Sequence, residues 1–261
     1  MKDVAGVAGV SLATVSRVVN GRNDVRVDLA ARVRDAIEVL GYRRDLTAST
    51  LRRADRMSAS IGLVFVDRPP SFIDADAVLT DNAGGARTGV EHLLSAGHRR
   101  IAFLGDRAAI HTAVERLAGY RSALSAAGVP ADPALERVGL VDSTLAAAAA
   151  LELLSAPDPP TAIFAGQNLI TVGVLRALRE LGLQRDVGLV GFDDVMLGDM
   201  TDPGITVVWQ DPYELGRRAA ELLFAQLGGA GGRTRRIELP TRLVARGSGE
   251  IAPAGASASS G

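Results

Sequence analysis

The chain has 261 residues, 47% of them hydrophobic and 23% charged, with a formal net charge of −1 and no cysteine. At roughly 150 residues per domain this is one to two globular domains with an ordinary core, which excludes a disordered protein. No run approaches the ~18 apolar residues of a membrane span, and the absence of cysteine removes disulfides, thiolate metal sites and cysteine nucleophiles. The opening residues show no secretion signal, so the expected location is the cytoplasm. The charge is unevenly spread. Residues 1–56 hold eleven Lys and Arg against seven Asp and Glu, whereas the remainder holds eighteen against twenty-three. That split suggests a small module that meets a polyanion, joined to a larger one that does not.

The segment Lys2 to Ala8 places Val4, Ala5, Val7 and Ala8 at helical spacing, and Gly9-Val10-Ser11 breaks it with a serine able to cap a second helix. That second helix runs from Leu12 to Val19 and stops at Asn20-Gly21. Two short helices about a glycine-containing turn have the shape of a helix-turn-helix. Val7, Val10, Val15 and Val18 are the expected core, leaving Leu12, Ala13, Ser16 and Arg17 facing outward. A third helix is expected over about 28–40, with Asp28 as its cap, Val33, Ile37 and Leu40 on one stripe, and Gly41 as its stop.

These residues, Asp3-Val4-Ala5, Ala8-Gly9-Val10-Ser11, Ala13 to Gly21 and Leu40-Gly41-Tyr42, resemble the head of the LacI/GalR family of transcription regulators. The resemblance implies that Leu12, Ala13 and Arg17 face base edges in the major groove, and that Thr14, Ser16 and Asn20 meet or orient toward phosphates. An arginine grips guanine O6 and N7 with two hydrogen bonds, worth ~1–3 kcal/mol of discrimination. It also implies a hinge helix at about 45–53, with Leu51 as a minor-groove wedge. Such a wedge unstacks base steps at a cost that an isolated monomer does not offset, so a homodimer is expected.

From Ile61 onward, short apolar runs (61–66, 101–104, 162–165, 187–190) alternate with amphipathic stretches at about 83–96, 113–127, 144–154, 168–182 and 213–227. Alternation of this kind argues for an α/β domain with a parallel sheet, whose ligands bind beyond the carboxyl ends of the strands. The resemblance covers this part too, through Asp81-Asn82 to Gly85, Gly97-His98, Arg116 to Tyr120, Phe164 to Asn168, Val190 to Asp194 and Gln210, and implies a periplasmic-binding-protein-like effector domain. On that similarity Arg116 holds a polar effector group and Asp193 accepts from hydroxyls or ring nitrogens. Gln167, Asn168, Gln210 and Thr112 add neutral polar groups, and Asp67 and Arg68 come from the other lobe. Ser143 stands where some members carry an aromatic that stacks on the ligand.

One departure is large: the strands that bracket a complete first lobe in the family are fused here within one run, 61–70, so that about 75 residues of βα units are missing. What remains of that lobe is expected at 61–79 and about 206–228. The second lobe is expected at roughly 80–205 with 235–247.

The expected organisation is therefore α/β with an N-terminal all-α head: a helix-turn-helix DNA-binding head at 1–44, a hinge helix and linker at 45–60, an effector domain with a truncated first lobe at 61–247, and a Gly/Ala/Ser-rich disordered tail at 248–261. The expected partners are operator DNA, a sugar or nucleoside effector and a second copy of the chain, with no cofactor or metal. Catalysis is disfavoured because His92, His98 and His111 lack metal-ligand spacing and Gly84-Gly85 is not followed by a Gly-Lys-Ser/Thr phosphate loop. A small-molecule receptor without DNA binding leaves the basic head unexplained. The serious rival is a DNA-binding remnant whose damaged sensor neither responds to an effector nor dimerises.

Overall fold

The computed structural model describes residues 1–19, 25–40, 61–228 and 233–254. Its head helices and its two sheets belong to separate compact units, taken here in turn.

In the head, α1 (Lys2–Ala8) ends on Gly9, whose φ of 61° is the left-handed conformation that glycine adopts without Cβ strain. Ser11 then starts α2 (Leu12–Val19), its Oγ accepting from the Thr14 backbone N–H at 3.1 Å. The third helix, α3 (Val27–Val39), closes the bundle. Val4, Ala8, Val15, Val33 and Ala36 form its core, with Val10, Val18 and Ile37 packed against them. Two expected core residues are corrected. Val7 is 58% exposed because the i, i+4 pair Val4 and Ala8 takes the inward stripe, and Leu40 is 42% exposed because it lies past the end of α3. Asp28 does not cap α3; its carboxylate is held instead by Arg26 at 2.7 Å. The expected stops Asn20-Gly21 and Gly41, and the hinge helix with Leu51, lie outside the described residues.

The larger unit contains two sheets. The six-stranded one has the order β4 (Glu136–Arg137), β3 (Ile101–Leu104), β5 (Ala162–Ala165), β6 (Gly188–Phe192), β7 (Thr206–Trp209), β9 (Arg242–Val244), parallel except for β7 against β9. The period-2 alternation of buried strands sorts its side chains. Ala102, Leu104, Ile163, Ala165 and Leu189 pack with α6 (Ser143–Leu154) and α7 (Asn168–Glu180). Ile101, Phe103, Phe164, Val190 and Phe192 pack with α4 (Asn82–Ser95) and α5 (His111–Ala126). The chain leaves β3 toward β4 on one side and returns to β5 on the other, so the order reverses between β3 and β5, the switch point where such sheets bind ligands.

The smaller sheet has three parallel strands in the order β1 (Val64–Val66), β2 (Asp76–Thr80), β8 (Arg236–Leu239). Helix α8 (Pro212–Leu227) covers it through Leu215, Ala219 and Leu222, which meet Val64, Val78, Ile237 and Leu239. Only the nine residues 67–75 join β1 to β2, and they contain no helix. A parallel crossover ordinarily takes a dozen or more residues, so this is the local signature of the shortened lobe.

Three expectations change here. β7 belongs to the larger sheet and β8 to the smaller, the reverse of the lobe limits read from sequence. Residues 61–63 precede β1 rather than forming part of it. The stretch 248–254, expected to be disordered, is fixed: Ser248 is 2% exposed, its Oγ donates to Leu189 O at 2.6 Å and accepts from Thr206 N at 2.9 Å, and Ile251 O lies 2.7 Å from His98 Nε2. Hydrogen bonds to residues far away in the sequence tie this strap down, so composition gave no sign of it. Residues 255–261 lie outside the described set.

Candidate effector cleft and DNA-reading helix

On α2, Leu12 (47% exposed), Ala13 and Arg17 face outward, while Val15 points into the head core. Thr14 is half-buried, with its hydroxyl 2.9 Å from Ser11 Oγ, and Ser16 is half-buried one turn before the helix ends. The helix thus presents two apolar side chains and one guanidinium on its open face. Asn20 and Leu51 lie outside the described residues.

The polar residues of the larger unit gather at strand carboxyl ends. Arg116, on α5, is 5% exposed, and its guanidinium lies 3.7 Å from the centre of the Phe192 ring. Its Nε donates to Asn82 Oδ1 at 2.8 Å, and Nη1 donates to Gly166 O at 2.8 Å and to Asp193 Oδ2 at 3.3 Å. Asp193 Oδ1 in turn accepts from Gln210 Nε2 at 2.5 Å, and Gln210 Oε1 accepts from the Thr80 hydroxyl at 2.6 Å. Nη2 of Arg116 makes no hydrogen bond among the described residues, which leaves two N–H donors for a ligand.

Asp67 and Asp193 occupy equivalent places at the ends of β1 and β6. Each is left-handed, with φ of 65° and 68°, and each donates its backbone N–H to the neighbouring strand, Asp67 to Val78 O and Asp193 to Val208 O, both at 2.9 Å. A non-glycine residue in this region is strained by of order 1–3 kcal/mol, a cost found mainly at functional sites. Asp67 Oδ1 is buried without a hydrogen-bond partner among the described residues. Burial pushes the Asp193 carboxyl above its ordinary value against the pull of Arg116, and Asp67 pushes the same way as burial. Burial also draws Arg116 below its ordinary value, opposed by Asp193 and Asp67. Asp193 thus pairs with the buried guanidinium while Asp67 acts on both by charge alone, and the open valences are acceptors on the acids and donors on Arg116. Hydroxyl groups, which both donate and accept, match that set.

Among the other residues expected in the cleft, Gln167 donates to Asp106 Oδ2 at 3.0 Å, and Thr112 is buried in the first turn of α5. Arg68 is exposed, and so is Asn168, whose Oδ1 accepts from Leu169 N at 2.7 Å. Sequence reading missed Thr80, Asn82 and Asp106. Asp106 lies two residues past the end of β3 at the switch point, so the strand-end rule was a usable signal. Asn82 is 1% exposed and donates to Thr80 O at 3.0 Å, a buried role that its place in a helix's first turn does not announce. Of the histidines, His98 is buried with Nδ1 2.9 Å from Thr161 Oγ1, and His92 lies 2.5 Å from Glu250. Among the described residues no group of three His, Asp or Glu is arranged to hold a metal, and no helix is long and apolar enough to cross a membrane.

A head whose short second helix faces outward and an α/β unit with a polar cluster at its strand carboxyl ends are the parts of a ligand-responsive DNA-binding regulator. Residues 1–45 match the bacterial regulatory proteins of the lacI family, and residues 90–249 match the periplasmic binding protein-like domain. The HTH-type transcriptional regulator CelR of Thermobifida fusca is 29% identical, the alignment taking in 94% of this chain and 97% of that protein. The HTH-type transcriptional repressor CytR of Escherichia coli K12 is 31% identical over 69% of this chain and 54% of its own length. The solved structure of a CelR–cellobiose complex has a TM-score of 0.69 at 29% identity, covering 95% of this chain and 99% of that one. The chain belongs to the lacI family, whose members are transcription regulators rather than enzymes. The CelR alignment is 329 positions long, yet 94% of 261 residues is only about 245, so roughly 80 positions face no residue of this chain. That shortfall agrees with the missing βα units and the nine-residue link between β1 and β2.

Proposed function

We propose that the chain is a cytoplasmic repressor that binds a near-palindromic operator as a homodimer and changes operator affinity when a sugar or nucleoside enters the Arg116–Asp193 cleft. The observation that carries this reading is the coexistence of an outward helix bearing Leu12, Ala13 and Arg17 with a polar cluster that holds two left-handed acids, one of which, Asp67, has a buried oxygen with no partner among the described residues. Arg17 supplies bidentate base recognition, Leu12 and Ala13 meet thymine methyl groups, and Thr14, Ser16 and Asn20 set the register on phosphates. Leu51 wedges the minor groove once two heads are joined. In the cleft, Asp67, Asp193 and Arg116 take hydroxyls, Gln167, Asn168, Gln210 and Thr112 support them, and Arg68 flanks the rim. Cellobiose, the ligand of the CelR complex, is the first sugar to try. The working boundaries are 1–44 for the head, 45–60 for the hinge and 61–254 for the effector unit.

A second reading is favoured by the helix-free link between β1 and β2: a lobe cut to three strands no longer supports the dimer, leaving single heads that bind weakly through phosphates. Selection of bound DNA from a random library by the full chain, at near-physiological salt, separates the two. One symmetric motif supports the homodimeric repressor. Half-sites alone, or no enrichment, support the remnant. Linking two heads multiplies affinity without new contacts, so the two outcomes differ widely.

A further inference from the structure

The Gln210 amide is held at both ends, and the two ends are not equivalent. An ionised carboxylate only accepts, so Asp193 Oδ1 at 2.5 Å must face the amide N–H, which turns Oε1 toward Thr80. Oε1 then needs a donor, and the Thr80 hydroxyl, on a residue 1% exposed, provides it at 2.6 Å. Without that hydroxyl the carbonyl end of the amide loses its donor, and the arrangement that points N–H at Asp193 is weakened. Thr80 also reaches Asp193 from the other side. Its backbone carbonyl accepts from Asn82 Nδ2, Asn82 Oδ1 accepts from Arg116 Nε, and Arg116 Nη1 donates to Asp193. Thr80 ends β2 of the small sheet, whereas Asp193 and Gln210 follow β6 and β7 of the large one.

We propose that Thr80 is a positioning residue for the effector cleft: its hydroxyl fixes the Gln210 amide, and through it the Asp193 carboxylate, so the acceptor that meets a ligand is aimed from the small sheet. This rests on the reading of the cleft as the effector site, but its test uses no effector. Replacing Thr80 by Val keeps the shape and removes the donor. The altered amide then supports the Asp193 anion less, with Arg116 and Asp67 left as the charges facing it.

The experiment is a carboxyl 13C NMR titration of the full-length protein, with the Asp193 signal assigned from its loss in Asp193→Asn. The proton affinity of Asp193 is expected to rise about threefold or more in Thr80→Val and in Thr80→Ala, and to return to the parent value in Thr80→Ser, which restores the hydroxyl. If either folded variant without the hydroxyl titrates with the parent, the proposal is overturned. The same holds if Thr80→Ser titrates with Thr80→Val, since the effect is then one of shape. Because no ligand is added, a cleft that fails to bind sugar overturns the effector reading and leaves this result standing.

Discussion

Arg116→Met keeps the length of the side chain and removes its charge. The structure assigns the guanidinium three acceptors, Asn82 Oδ1, Gly166 O and Asp193 Oδ2, and a seat over the Phe192 ring. Its side chain is 6% exposed and that of Asp193 is 21% exposed. Breaking a buried ion pair by deleting one partner costs about 3–5 kcal/mol, and the residual exposure of Asp193 puts the expectation near the lower end, about 3 kcal/mol. Much of that is the stranded carboxylate rather than lost attraction. Adding Asp193→Asn removes the stranded charge while still offering an acceptor to Gln210, so the double variant is expected to regain about 1–2 kcal/mol relative to Arg116→Met. Urea unfolding at neutral pH, followed by circular dichroism with the four proteins of the cycle side by side, measures both quantities. A cost below about 1 kcal/mol for the single variant, or strict additivity in the cycle, would refute the view that Arg116 and Asp193 form one buried unit.

Identical substitutions at two helical glycines should have opposite signs. At Gly119 a Cβ would fall on the Ala83 carbonyl oxygen, with the Ala86 Cβ at 2.9 Å, so Gly119→Ala is expected to destabilise by about 1–3 kcal/mol despite its helix propensity. At Gly216 on α8 nothing lies within 4 Å, and Gly216→Ala is expected to stabilise by about 0.5–1 kcal/mol; matching melting shifts of one sign would contradict this packing. Burial holds the His98 imidazole below the ordinary 6.5 of a free imidazole, so the fold favours the neutral ring. The unfolded chain then binds more protons as pH falls below 6.5. Stability is therefore present above that pH and declines beneath it, by at most about 1.4 kcal/mol per pH unit from this group. His98→Gln should flatten that slope in urea midpoints taken between neutral and mildly acid pH. Arg17→Ala is expected to cost about 1–3 kcal/mol of operator discrimination in competition binding while leaving the head folded. Undiminished discrimination there would remove Arg17 from the base-reading set.

The parts legible in the sequence were those that bury apolar area with a regular period. Ile101–Leu104 and Ala162–Ala165 stand out because each is a short buried run between amphipathic helices, and Leu215, Ala219 and Leu222 form a plain stripe. β4 has two residues and β8 alternates charge with apolar side chains on an open edge, so neither carries a run. In the cleft, Arg116 and Asp193 were read from resemblance. Thr80 and Asn82 were not, because their part is to hydrogen-bond other side chains, and no local pattern marks a residue whose partner lies more than thirty positions away. The strap at 248–254 was lost for a related reason: three small or flexible residues, Gly247-Ser248-Gly249, look unable to fold until the waiting acceptors of Leu189 and Gly204 are known.

Asp67 carries two burdens at once, a left-handed backbone and a buried oxygen without a partner among the described residues. Glycine there would relieve both. A mutant library sorted only for abundance or heat resistance should therefore enrich glycine at 67, and if Asp67 takes the effector as proposed, the winners would be sturdier proteins deaf to the signal. On that proposal, sorting the same library for response should put the aspartate back, and the gap between the two enrichments would map where durability is given up for listening.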